Sequence, residues 1–411
     1  MTQHVASHDD PARLKPRGSS QGGLRQYNER VVLQAIRLHG ALPGAELARL
    51  THLTAQTISL ITKRLLDDGL LVKGAPQRGK VGQPSVPLSL NPDGAFAIGV
   101  KVGRRSLDVL LVDFVGAVRE RWSLDYPFPD PDQVLAEIGR RLQDIRHTLG
   151  DKHHDRVQGI GIAAPLQMGG WQPLLGVDAA LAARWEDLDL SAAVAALTRL
   201  PVELLKDTAA ACVAELVAGR GRSLTSFLYV FVDTFIGGGL VIDSHLRSGL
   251  NGNAGAIGSM PLGLSHASQA GPPPQLLSRA SLLNLERLFE AAGLDRAAAG
   301  DARAVQAAWW PVTQGWLRET TAAIALAVNS AACLLDLEGV IVDGSFSREL
   351  LAALLAELAT ALDRYSWEGV VRPAALPGTI GSDARAIGGA LLPLYANFAP
   401  DRELFLKVGA G

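Results

Sequence analysis

Little in this chain can serve covalent or metal cross-linking. Its 411 residues include only two cysteines, Cys212 and Cys333, each inside an alanine-rich stretch of helical pattern. A disulfide framework is therefore excluded, both thiols are expected to be buried, and the reducing cytoplasm is the natural compartment. Long hydrophobic runs are also missing. The N-terminus has no apolar core of the kind a signal peptide needs, and the most apolar long stretch, Thr321 to Leu335, is interrupted by Asn329 and Ser330, so no membrane span is expected. His147, His153 and His154 are the only local grouping of histidines, and they read as exposed loop residues before a strand, not as metal ligands. Residues 1–23 hold almost no large apolar side chains and are expected to form a disordered arm.

The chain also lacks a strong net charge, which is −2 overall. That small value hides an asymmetry. Through Asn91 there are 12 Lys+Arg against 6 Asp+Glu, and the remainder carries 27 against 35. A basic head on an acidic body suits a nucleic-acid-binding module joined to something that does not bind nucleic acid. The length exceeds what one hydrophobic core serves, so two or three domains are expected.

In the head, Leu24, Tyr27, Val31, Val32, Ala35 and Ile36 recur at helical spacing, with Gly40 near the helix end. A second helix follows from Pro43 (PGAELARL). A third runs through TAQTISLITKRLLDDG, with Thr54 placed to cap it and Gly69 to stop it. Ile58, Ile61 and Leu65 form its apolar stripe, while Gln56, Ser59 and Lys63 share the opposite face. Short polar and basic groups opposite an apolar stripe suit a helix that enters a DNA major groove, although an ordinary solvated face has the same composition. The run LLVKGAPQRGKVGQPSVPLSL then alternates about a Gly-rich basic tip, where Arg78 and Lys80 can meet phosphates or a minor groove. Residues 24–91 thus read as a winged helix-turn-helix, whose candidate DNA contacts are Gln56, Thr57, Ser59, Lys63, Arg64, Arg78 and Lys80.

From Ala95 the pattern changes. FAIGVKVG, SLDVLLVDF and AVRERWSLDY read as three successive strands, followed by a helix from Pro131 to Leu149, the strand VQGIGIAAP, and PVELLKD leading into a helix. A second cycle begins with SFLYVFVD and IGGGLVID, and continues through helices, the strand LEGVIVDGS and a closing helix from Asp383. Two copies of a strand-rich, then alternating unit indicate two lobes with a cleft between them.

As a set, TAQTISLITKRLLDDGLL, RWEDLDL, LLKDTAAACVAE, IGGGLVID, GNAGAIGSMPLG, VIVDGSF and DARAIGGALLPL resemble the transcriptional regulators of the ROK family. In that family a winged helix is joined to an actin-like sugar-kinase body, and relatives without the head are sugar kinases. The resemblance implies an α/β chain with an N-terminal winged helix-turn-helix followed by a two-lobed actin-like, ribonuclease-H-like sugar-kinase fold over residues 92–411. It also implies a double-stranded DNA operator, a small sugar-like effector, and a homodimer or dimer of dimers.

The departures from the kinases fall at their chemical positions. Where the first kinase hairpin carries an acidic residue and Gly-Gly-Thr for nucleotide phosphates, this chain has Lys101-Val102-Gly103-Arg104-Arg105. Asp207 stands in the place of the general base, preceded by Lys206 instead of Asn; it reads equally as a sugar-hydroxyl acceptor or as a helix cap. The second phosphate hairpin keeps Gly237-Gly238-Gly239 but places Phe235 where glycine is expected and Asp233 where it would repel phosphate, and a tight hairpin explains the glycines equally well. Glu-x-Gly-His becomes Ala256-Ile257-Gly258-Ser259, and no cysteine cluster follows, so neither a zinc site nor any other cofactor is expected. Asp207, Asn253 and Ser259 remain as candidate effector contacts, Asn253 with the alternative of a turn residue. Catalysis is not expected.

Overall fold

The computed structural model describes residues 21–76, 85–169, 175–265 and 271–400. The expected phosphate contacts Arg78 and Lys80, and His266, lie outside them.

Three helices and a small sheet build the head. Helix α1 (Gln21–His39) starts inside the stretch expected as an arm. It buries Val32, Leu33 and Ile36, whereas Leu24 and Tyr27, expected on its packed face, are about half exposed. Helix α2 (Gly44–Thr51) buries Leu47 against them. Helix α3 (Ala55–Asp67) is capped by Thr54, whose side chain accepts from the Thr57 N–H at 3.1 Å. At its other end the Gly69 N–H reaches the Leu66 carbonyl and the Leu70 N–H reaches Leu65. This double closure requires a left-handed residue, and Gly69 has φ +72°. Strands β1 (Leu42–Pro43), β2 (Leu71–Lys73) and β3 (Pro87–Leu90) form an antiparallel sheet in the order β1-β3-β2.

The body contains two five-stranded mixed sheets of the same design. In the first lobe the order is β6-β5-β4-β7-β8, from β4 (Phe96–Val102), β5 (Ser106–Asp113), β6 (Val118–Asp125), β7 (Val157–Ala164) and β8 (Val202–Lys206). The second lobe repeats it as β11-β10-β9-β12-β13, with β9 (Phe227–Val232), β10 (Gly237–Ile242), β11 (His245–Arg247), β12 (Gly339–Gly344) and β13 (Ala374–Pro377). In both lobes the first three strands are antiparallel and the fourth and fifth add in parallel. The central strands β4, β7, β9 and β12 are buried along nearly their whole length, as in a sheet covered on both faces.

Two helices fill the space between the sheets. One, Asp207–Ala218, leaves the first lobe; the other, Ala384–Phe398, leaves the second. Their backbones approach so closely that a Cβ on Gly388 would lie 1.8 Å from the Ala210 carbonyl oxygen, and one on Gly161 would meet Gly389 at the same distance. The paired glycines of DARAIGGALLPL are thus a packing requirement. Glu215, fully buried, accepts from the backbone N–H groups of Arg220, Thr379 and Ile380, tying the two helices' flanking loops together.

The head's core is continuous with this interlobe core. Arg37 of α1 lies 5.0 Å over the Phe114 ring and 5.9 Å over Tyr395. Arg222 donates to the Leu38 carbonyl at 3.1 Å, and Arg30 to Ala399 at 3.3 Å.

Two local expectations are corrected. Helix α4 runs Pro131–His154, kinked at Gly150, so His147, His153 and His154 lie on a helix, not in a loop. Cys212 is buried but Cys333 is exposed, because its position on the Trp310–Leu335 helix faces outward. Trp185 packs inside and donates its Nε1–H to Pro129 at 2.8 Å. Among the described residues no helix is long and apolar enough to cross a membrane.

Candidate functional site

The interlobe cleft is divided into two chambers. Arg104, Pro165, Asp207 and Phe235 line both and so form the wall between them. The Arg104 guanidinium lies 5.1 Å over the Phe235 ring and donates to the Gln167 carbonyl at 3.1 Å. The glycine expected at position 235 is thus replaced by a platform for an arginine.

The first chamber, about 230 Å³, holds the residues that diverge from a phosphate cradle. The register of the β4–β5 hairpin sets Lys101 opposite Asp108. Lys101, almost fully buried, donates to the Asp108 carboxylate at 2.8 Å and to the Ser106 hydroxyl. Arg385, from the closing helix, is also buried; it pairs with Asp233, donates to Ser345 at 3.2 Å and stands over the Phe231 ring. Arg121 pairs with Asp383, and Arg105 with Glu286.

These pairs control ionisation. Burial pushes the Asp108 carboxyl up, but the Lys101 ammonium and hydrogen bonds from Lys101 and Ser123 outweigh it and hold the carboxyl below its ordinary range. For Asp233 burial is likewise outweighed, here by the charges of Arg385 and Lys101. Burial, assisted by Arg385, lowers the Lys101 ammonium despite Asp108 and Asp233. Lys101 and Arg385, which line this chamber, are therefore each met by a carboxylate of the protein itself.

The second chamber, about 450 Å³, brings together all three candidate effector contacts, Asp207, Asn253 and Ser259, with Gln167, Lys206 and Asn251. Asn253 and Ser259 are exposed on its wall. Asp207 opens the Asp207–Ala218 helix and accepts from the Thr208 N–H at 2.8 Å; Lys206 is the capping residue. Both readings of Asp207 thus have a footing, since its carboxylate serves the first helical turn while lining the cleft.

On α3, Gln56, Ser59, Lys63 and Arg64 are exposed, opposite buried Ile58, Ile61, Thr62 and Leu65. Thr57 is half-buried and occupied with the cap, its hydroxyl 2.9 Å from that of Thr54. Arg64 pairs with Glu29 of α1 at 2.5 Å, which fastens the two helices. Leu60, 65% exposed, lies among the polar residues and was not singled out from sequence. Its spacing from Gln56 and Lys63, four and three residues, was the available signal.

The ROK family model matches residues 97–394. This chain belongs to the ROK family. The match begins after the head and spans both lobes of the ROK body. The chain is 23% identical over 247 residues to the xylose repressor of Bacillus subtilis, covering 59% of this chain and 62% of that protein, so the likeness spans only about three fifths of the repressor. A ROK family transcriptional regulator, homolog of the E. coli MLC protein, superposes with TM-score 0.67 at 21% identity, covering 93% of this chain and 98% of that one. A ROK family glucokinase from Streptomyces griseus, solved with glucose and AMPPNP, gives TM-score 0.57 at 21% identity, covering 72% of this chain and 99% of its own.

Proposed function

We propose that this ROK protein is a DNA-binding transcriptional repressor of carbohydrate uptake or catabolism genes, relieved by a small sugar-like effector in the interlobe cleft. The observation that carries this reading is the three-helix, three-strand head, fused through one continuous core to a body whose phosphate positions are taken by ion pairs. The head is a winged helix-turn-helix with α3 as its recognition helix. Gln56, Thr57, Ser59 and Lys63 face base edges, Leu60 contacts a thymine methyl, and Arg64, released from Glu29, joins Arg78 and Lys80 on phosphates. Asp207, Asn253 and Ser259 hold the effector. The body has no kinase activity.

The mechanism is linkage. An effector that prefers one interlobe angle shifts the population toward it and changes the spacing of two heads in a homodimer or dimer of dimers. Half-sites on double-stranded DNA lie about 34 Å apart per helical turn, so a modest rotation of the bodies abolishes simultaneous engagement. Chromatin immunoprecipitation with sequencing tests the reading: sharp peaks over a palindrome beside sugar transport or catabolic genes are expected. Absence of enrichment under several carbon sources, together with ATP-dependent hexose phosphorylation that Asp207→Asn abolishes, would replace it by a sugar kinase.

A further inference from the structure

The second chamber carries more positive charge than its own walls neutralise. Three charged side chains line it, Arg104, Lys206 and Asp207, leaving one cation in surplus. Among the described residues neither Arg104 nor Lys206 forms an ion pair within salt-bridge distance. Arg104 spends one N–H on the Gln167 carbonyl, while its Nε is shut away from solvent with no acceptor. Lys206 is half-buried, and burial lowers its ammonium pKa against the pull of Asp207 alone. Buried donors without acceptors are uncommon in folded proteins, because their lost hydration is not replaced.

The first chamber shows what the alternative looks like. There Lys101, Arg121 and Arg385 each have a carboxylate of their own. Arg104 stands on the wall shared by both chambers, but an anion on the first side would meet cations already paired, whereas on the second side it meets Lys206 as well, which lines that chamber alone. The remaining lining is neutral and polar: Gln167, Asn251, Asn253 and Ser259 offer amides and a hydroxyl suited to a polyol. A guanidinium held over an aromatic ring keeps its edge available to the two oxygens of a carboxylate or phosphate. The volume of about 450 Å³ fits a small carbohydrate and not a dinucleotide.

We infer that the second chamber takes a monosaccharide- or polyol-sized ligand bearing one anionic group, a carboxylate or a phosphate, with Arg104 and Lys206 on the anion and Asp207, Asn253 and Ser259 on its hydroxyls. This deepens the proposed function and rests on the cleft being the effector site. A neutral sugar would leave the surplus charge without a partner.

Calorimetric titration of the full chain tests this with D-glucuronate, D-gluconate and D-glucose 6-phosphate against neutral D-glucose and sorbitol, at low and high salt. At least one anionic probe is expected to bind tenfold or more tightly than its neutral counterpart, with an advantage that shrinks as salt rises. The carboxylate and phosphate arms identify which anion is used. Arg104→Gln and Lys206→Gln should each remove most of that advantage, while Arg104→Lys, which keeps the charge but loses the fork, retains part of it. Thermal unfolding of each variant checks that it folds, and the salt comparison on the unaltered chain stands without them. Equal or tighter binding of the neutral probes, no binding of any anionic probe, or an undiminished advantage in the double variant overturns the inference. The genomic experiment fails independently: a chain that binds an anionic probe but enriches no DNA sinks the repressor reading and leaves the ligand assignment standing.

Discussion

The two chambers share a wall and differ in how their charges are disposed. In the first, Lys101 and Arg385 are buried with a carboxylate each. In the second, Lys206 and Arg104 line the space with Asp207 as the one carboxylate. The lesson is that two halves of one cleft can differ in whether the protein itself supplies the partners of its cations. One half has become internal structure, held by the protein for itself. The other keeps Arg104 and Lys206 outside any ion pair among the described residues.

The sharpest way to break that comparison is to remove a cation from each side. Arg385→Met leaves Asp233 without the guanidinium it pairs with and takes away the closing helix's tie to Ser345; denaturant unfolding should show a loss of about 3 kcal/mol, the scale for stranding one member of a buried pair. A loss below about 1 kcal/mol would mean that the first chamber is not structural. Acid should act next and in the same place. Asp108 and Asp233 have depressed values in the folded state, so their contribution is complete above the ordinary carboxylate range and disappears as pH falls through the lower folded values. Unfolding followed below pH about 4 should therefore show a drop that is weaker in the Arg385→Met variant. Lys101 gives the same slope in a higher window: above its lowered value and up to about 10.4 the unfolded chain holds more protons, so this group also makes stability rise with pH, here because an unfavourable buried charge is relieved.

Smaller effects belong to the other half. Lys206→Met should change stability by less than about 0.5 kcal/mol or raise it slightly, since no ion pair is lost and a desolvated charge is removed. Ser259→Ala, at an exposed position, should be within about 0.5 kcal/mol by the same measurement. A substantial destabilisation by either would show that the second chamber is also internal structure.

Much of the architecture was legible from period and punctuation. The β4–β5–β6 meander, the Thr54 cap and the Gly69 stop are local features, and local residues determine them. The exposed face of α3 also followed from spacing, although the Arg64 link to Glu29 did not, because it joins two helices 35 residues apart in sequence. At the cleft, the substitutions at 101, 104, 105, 235 and 256 were visible as departures, but their consequence was not. Lys101 and Asp108 are cross-strand neighbours, so the hairpin register could have revealed that pair. Arg385 and Asp233 are 152 residues apart and meet only when the second lobe's last helix returns to the space between the sheets, a tertiary event with no sequence period. For the same reason Leu24 and Tyr27 have the spacing of core residues but lie beyond the surfaces that could cover them.

The helix Asp207–Ala218 has a further mechanical consequence. Its first residue is on the wall of the second chamber, while Leu216, Val217 and Ala218 line a small cavity shared with Gln34, Arg37 and Leu38 of α1. A rod of this length spans about 17 Å at about 1.5 Å per residue, and a tilt of about 5° at one end moves the other by about 1.5 Å. Displacements of that size are what subunit interfaces commonly read as a change of state. One rigid element thus has its first residue in the cleft and its last turn under the first helix of the head.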